Sequence, residues 1–197
     1  MKSDNEPAIL ALKEAVRRES DVEIVMEEVP VGDHQAKGLA EKAIKNVQGQ
    51  FRVIKDALDS RHGRRIDGEH PVVPWMVMHA ASVVNRSRKD NEGFSAYRRW
   101  KGREFTKPVA EFGESVLYAP ADSAGKDKFD VRWREGVWLG VRMESGESLI
   151  GTDGGVAKAR DLRRKAENGG RWSVAEFDKF VGVPWEPYPG ARSKRRI

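Results

Sequence analysis

The sequence predicts an α+β chain in which helices come first and a small antiparallel β-barrel or meander follows. Two patterns carry this prediction. Over roughly the first hundred residues apolar side chains return at steps of three and four, the period of a helix with one buried face. From Glu114 the apolar runs become short and β-branched, and glycines at 125, 140, 146, 151, 154 and 155 separate them, as turns separate strands.

Composition limits what such a chain does. Its 197 residues hold one or two small domains, and 39% hydrophobic content suffices for a core. A mean hydropathy of −0.67 and 34% charged residues keep that core thin. The net charge is +5, and it is unevenly spread. Residues 1–33 hold nine acids against four bases, a balance of −5, which leaves +10 for the rest. An acidic head before a basic body suits a chain whose later part faces a polyanion. Cysteine is absent, which excludes disulfides, thiolate zinc sites and thiol catalysis and fits a reducing compartment. No apolar run reaches the length of a membrane span and no signal-peptide core opens the chain, so the expectation is a soluble intracellular protein with no membrane partner.

In chain order, Ser3-Asp4-Asn5-Glu6-Pro7 reads as polar caps with proline in the first turn, ahead of a helix from Ala8 to Arg18 whose buried side is Ile9, Leu12 and Val16. Val22 to Met26, β-branched and bounded by Pro30, predicts a strand or extended edge. A loop from Gly32 to Gly38 then enters the central helix, within the stretch from Val31 to Lys55. Its seam is Ile44, Val47, Phe51, Ile54 and Leu58. Ser60 to Glu69, with Arg61, Arg64 and Arg65, predicts an exposed connection. Pro71 and Pro74 open a buried helix from Trp75 to Asn85, and Phe94 to Trp100 forms a short amphipathic piece. Strands are expected at Ser115 to Tyr118, Gly136 to Val141, Ser148 to Ile150 and Val156 to Ala159. After Lys165 regularity is lost, and Arg192-Ser193-Lys194-Arg195-Arg196 closes a basic tail.

The central helix carries the most suggestive chemistry. Counting from Glu41, Lys45 comes one turn later, Gln48 two and Arg52 three, so a carboxylate, an ammonium, an amide and a guanidinium share one face. A carboxylate leading a basic stripe suits a metal-dependent phosphodiester enzyme, the acid holding a cation and the bases a nucleic-acid backbone. Glu and Lys four apart also occur on any solvated helix, and from this helix alone that plainer reading stands beside the functional one.

The motif order supports a resemblance. Asp4 within Ser3-Asp4-Asn5, then a helix, a strand, a Gly-containing loop and Gly38-Leu39-Ala40-Glu41 opening a long helix resemble the second half of the catalytic core of retroviral and retrotransposon integrases. The 36 residues between Asp4 and Glu41 are close to the spacing those enzymes keep between their last two catalytic acids. The continuation is similar to copia-type polyproteins: Ala80-Ala81-Ser82-Val83-Val84-Asn85-Arg86-Ser87, Ser95 to Arg103, Phe112-Gly113, Lys128-Phe129-Asp130 with Arg132, and Gly136-Val137-Trp138-Leu139-Gly140. The resemblance covers about residues 3–141.

What it implies is a partial RNase H-like core in residues 1–66, a helical connection in 67–108, a small SH3-like barrel in 109–165 and an irregular basic tail in 166–197. In the intact family site three carboxylates hold two divalent cations, Mg²⁺ by their oxygen ligands, for in-line phosphodiester cleavage and strand transfer. The resemblance makes Asp4 and Glu41 catalytic metal ligands, sets Lys45 and Arg52 against the DNA backbone, and gives Gln48 to the DNA end. Asp4 also reads as a helix cap. Two features depart from the family. Lys37-Gly38 stands where Asn-Gly is common, and only three residues precede Asp4, so the strand bearing the first acid is expected to be missing, as is an amino-terminal zinc module. The four histidines, at 34, 62, 70 and 79, lack ligand spacing and are expected in surface or packing roles.

Trp133 and Trp138 are core anchors or stacking surfaces, with core favoured at strand spacing. Arg98-Arg99-Trp100-Lys101 and Arg160 to Lys165 suit either a nucleic acid or a solvated face. The expected function is therefore a fragment of a retrotransposon integrase, nuclear if it acts as one and inactive alone for want of its first acid. The alternatives are a non-catalytic DNA-binding module, or an assembly remnant whose apolar helices pair in a homo-oligomer.

Overall fold

A computed structural model describes residues 2–3, 7–28, 35–107, 110–120 and 132–189, with backbone only at 2, 3, 27, 28, 35–37 and 39. The chain forms two compact units, Met1–Lys45 and Asn46–Ile197. Helices and strands are both present, and the four long strands close into an antiparallel barrel.

In the first unit, β1 (Lys2–Ser3) pairs in parallel with β2 (Glu27–Glu28), and α1 (Pro7–Glu19) lies between them in sequence. Helix α1 starts at Pro7, as a proline in the first turn favours. The expected strand from Val22 to Met26 does not form. Val22 is 74% and Val25 68% exposed while Ile24 and Met26 are only half-buried, and among the described residues ladder pairing here involves Glu27 and Glu28 alone.

Helix α2 (Gln35–His62) crosses the boundary between the units, which falls after Lys45. In the second unit its apolar seam engages progressively: Val47 is half-buried, Phe51 and Ile54 pack against the core, and Leu58 is 1% exposed. Ile44, by contrast, is exposed. The stretch from Ser60 to Glu69 is exposed as expected, apart from His62 and Ile66. The helix continues to His62, and Asp59 then folds the chain back, its Oδ1 accepting from Ile66 N at 2.9 Å and its carbonyl from Arg64 N at 3.1 Å. His62 and Ile66 are buried in consequence.

Helix α3 (Val72–Ser87) follows Pro71, whose ring cannot cap it. His70 does so instead, its Nδ1 accepting from Val72 N at 3.1 Å and its carbonyl from Val73 N at 3.0 Å. The short α4 (Ala96–Lys101) is capped by Ser95 Oγ on Arg98 N and stopped by Gly102 at φ 70°.

The barrel comprises β3 (Ser115–Pro120), β4 (Arg134–Val141), β5 (Ser148–Thr152) and β6 (Gly155–Arg164), each antiparallel to its neighbours, with β3 pairing β4 on one side and β6 on the other. Two cores result from strand alternation. Val116, Tyr118, Trp138, Val141, Ile150 and Ala159, drawn from all four strands, pack together as the barrel filling. Val137, Leu139 and Val156 join a separate cluster with Leu58, Val72, Trp75 and Met76 of the helices. β4 is therefore buried on both faces from Gly136 to Val141. Each such fully buried aliphatic side chain contributes about 1.5–3 kcal/mol relative to exposure.

The stretch after Lys165, expected to be irregular, carries a further helix, α5 (Val174–Lys179). Ser173 Oγ accepts from Glu176 N at 3.3 Å, and Phe177 and Phe180 enter the helix-side core at 0% and 2% exposure. Trp75 Nε1 donates to the Gly182 carbonyl at 2.9 Å, fastening this segment to α3. Residues 190–197, which hold the basic cluster, lie outside the described residues.

Candidate nucleic-acid interface

Glu41 and Lys45 belong to the first unit, Gln48 and Arg52 to the second, and all four side chains are exposed on α2. For Gln48 and Arg52 helical periodicity accounts for that exposure, because Val47, Phe51, Ile54 and Leu58 take the buried side, whereas around Glu41 and Lys45 the seam residue Ile44 is exposed as well. Asp4 lies outside the described residues. Among the described residues no group of three or more His, Asp or Glu is placed to hold a metal ion. Glu41 by itself does not make a Mg²⁺ site, which needs several oxygen ligands in octahedral array.

The two basic clusters of the second unit behave differently. Around α4 the cations are matched internally: Arg99 pairs with Asp90 at 2.6 Å and Glu92 at 2.8 Å, and Arg98 with Glu104 at 3.2 Å while lying over the Phe94 ring. Hydrogen bonds to Asp90 and Glu92 raise the Arg99 pKa further. The Arg99 guanidinium first, then the backbone amides of Phe94 and Glu92, hold the Asp90 carboxyl below the usual range. Lys101 Nζ sits 3.9 Å from the ring centroid of Trp100, which is 58% exposed.

On β6 the cluster divides. Arg164 turns toward buried Glu114, and Lys165 pairs with Glu135 at 2.8 Å across β3. Arg160 and Arg163 remain exposed and, among the described residues, have no ion-pair partner. Arg163 lies 4.5 Å over the Trp133 ring, which is half-buried. Strand register accounts for this: Arg163 and Glu135 flank Leu117 from opposite sides, so the residue two before Glu135 lies near the β6 side chain across the strand. Arg132 and Arg134, on either side of Trp133, are exposed without ion-pair partners among the described residues. Arg132, Trp133, Arg134, Arg160 and Arg163 thus supply cations and a ring at the start of β4 and the outer part of β6, a combination that holds phosphates and stacks on bases. Trp138, the other barrel tryptophan, is 0% exposed and serves the core.

The adjacency of Trp133 and Arg163 is set by strand register, and no local sequence signal announces it. The buried histidines follow the packing expectation: His62 packs on Phe177 at 4.2 Å, and His79 stacks on Phe112 at 5.0 Å. His34 lies outside the described residues. No helix among the described residues is long and apolar enough to cross a membrane. The chain matches no protein-family model and none of the curated proteins.

Proposed function

We propose that this chain corresponds to the later part of a copia-type retrotransposon integrase, and that its second unit contacts DNA through the Trp133 and Arg163 side of the barrel. In this reading the closed barrel is SH3-like and residues 1–66 are a partial RNase H-like core. The observation that carries it is the set of four exposed arginines, 132, 134, 160 and 163, that no described acid neutralises, on and beside two strands of a closed four-strand barrel, with Arg163 lying over the Trp133 ring. The ordered motifs from Ser3 to Gly140 support the family assignment. Such cations hold the duplex by its phosphates, a sequence-blind contact whose strength comes from counterion release.

Asp4 and Glu41 are the metal ligands in this proposal, and Lys45, Gln48 and Arg52 lie along the DNA from them. These residues supply two acids to a site the family builds from three. Mg²⁺, when held by the full set, supplies activation of the attacking oxygen and stabilisation of the leaving one. The chain by itself is accordingly expected to bind DNA without end processing or strand transfer.

The direct test is fluorescence anisotropy of a labelled duplex of about 20 base pairs across a salt series. Four phosphate contacts give a fall of log K with log salt of slope about −3 to −4. Affinity indifferent to salt would sink the proposal.

A further inference from the structure

We propose that the groove between α3 and the outer face of the barrel is a binding site for a small aromatic carboxylate. The groove encloses about 450 Å³, inside the range of about 300–1,000 Å³ typical of small-molecule sites. Met78 and His79 of α3 form one wall, Leu139, Leu149 and Val156 of three successive strands the floor, and Tyr188 the far side. Met78 is 51% exposed and Tyr188 48%, so two large side chains stand in water at a concave apolar surface that a flat ring would cover.

Two polar features fix the ligand class. The first is His79. Its ring is held by stacking on Phe112 at 5.0 Å and by an edge contact with Trp138 at 5.3 Å, and its Nδ1 is buried with no hydrogen-bond partner. Gly140, which also lines the groove, approaches this atom closely: a Cβ at that position would come 3.0 Å from Nδ1. Burial holds the imidazole neutral, its pKa lowered to about 4, so it presents one donor and one acceptor rather than a charge. An unsatisfied buried polar atom carries a desolvation penalty that a ligand oxygen relieves.

The second feature is the charge at the rim. Arg142 is engaged by Glu144 at 3.3 Å, whereas Lys158 is exposed and has no ion-pair partner among the described residues. A cation with no ion-pair partner among the described residues, beside an apolar trough, complements a ligand with one negative charge and a ring. Lys158 stands two residues before Arg160 on β6, and the test below, made without DNA, reads the groove independently of the proposed DNA face.

The test titrates 2-naphthoate, with neutral 2-naphthamide as comparator, into the ¹⁵N-labelled 197-residue chain. The Trp75 indole N–H, which bonds Gly182 and lines the groove, is the reporter. The expected result is a saturable shift, with Lys158→Gln weakening naphthoate about fivefold and leaving naphthamide unchanged. Met78→Trp, which fills the trough from an exposed position, abolishes both while the free-protein Trp75 resonance stays folded-like. The proposal is overturned if naphthoate produces no saturable shift up to about 10 mM, or if Lys158→Gln weakens both compounds equally. It is also overturned if light scattering shows a dimer that Met78→Trp dissolves, which would assign the groove to a second copy of the chain.

Discussion

Arg164 grips both carboxylate oxygens of Glu114, from Nε at 2.9 and 3.0 Å and from Nη2 at 2.7 Å, across 50 residues of sequence. Glu114 is 0% exposed, and its Oε2 also accepts from Glu111 N at 3.0 Å, while Arg171 Nε stands 3.5 Å from Oε1. The forked geometry ties the start of β3 to the end of β6, where the barrel closes. Arg164→Ala leaves a buried carboxylate with poorer partners, and a loss of about 2 kcal/mol is expected in urea unfolding. This is below the ~3–5 kcal/mol of a fully buried pair because the Arg164 side chain is 39% exposed. The double variant Glu114→Leu/Arg164→Met should cost less than Arg164→Ala alone. Additive losses would show that the two side chains do not act as a pair.

Phe180 seats its ring over Gly151 of β5, where a Cβ would come 2.5 Å from Phe180 Cδ2. Gly151→Ala therefore pushes a core aromatic off its strand, at a cost of about 1–3 kcal/mol. Gly154→Ala, with only Thr152 Oγ1 at 3.9 Å, is the matched control and should be near neutral. Equal melting temperatures for the two variants would mean that the segment after Lys165 does not pack on the barrel.

The sequence reveals what depends on local periodicity and hides what depends on approach in space. α3 and α4 are legible because each has one wet and one dry face, and the four barrel strands because turn residues bracket β-branched runs; α1 is legible as a helix, but its expected buried side is not the one observed, since Leu12 is 60% and Val16 39% exposed while Lys13 is buried. β6 reads as only Val156 to Ala159 because its continuation, through Arg160 and Arg163 to Arg164, looks like a basic cluster; pairing with β3 makes it a strand. For α5 a signal is present, Ser173 three residues before Glu176, but the glycines before it and prolines after it suggest a loop. The exposure of Gln48 and Arg52 follows from spacing alone. Which arginines are neutralised does not: Arg164 meets Glu114 and Arg163 meets Trp133 only because β3 brings their strands together.

If the barrel arginines that have no ion-pair partner among the described residues hold duplex DNA, single substitutions should separate them from the paired ones. Arg160→Ala and Arg163→Ala should each reduce the salt slope by about 0.9 and weaken binding alike for unrelated sequences. Arg99→Ala, whose guanidinium is already matched by Asp90 and Glu92, should leave anisotropy titrations unchanged. Binding should also survive Asp4→Ala and Glu41→Ala, because carboxylates do not attract phosphates. A slope altered by Arg99→Ala but not by Arg163→Ala would move the interface from the barrel to the α4 region.

Acid should unfold the second unit through its histidines before its carboxylates. Burial lowers the pKa of His79 to about 4 from an ordinary 6.5, with Arg86 pushing the same way, and burial also lowers those of His62 and His70. Around His62 and His70 the charges of Arg64 and Asp178 act in opposite directions and leave desolvation dominant. A folded-state pKa below the unfolded one means that the unfolded chain binds more protons. Stability is therefore full above pH 6.5, falls between 6.5 and about 4, and levels off below as far as His79 is concerned. At about 1.36 kcal/mol per pKa unit the His79 share of that fall is about 3 kcal/mol. His79→Phe keeps a ring against Phe112 and removes the titrating group, so its unfolding free energy should decline less across the same window. Parallel pH profiles for the two proteins would show that His79 is charged or hydrated in the folded state.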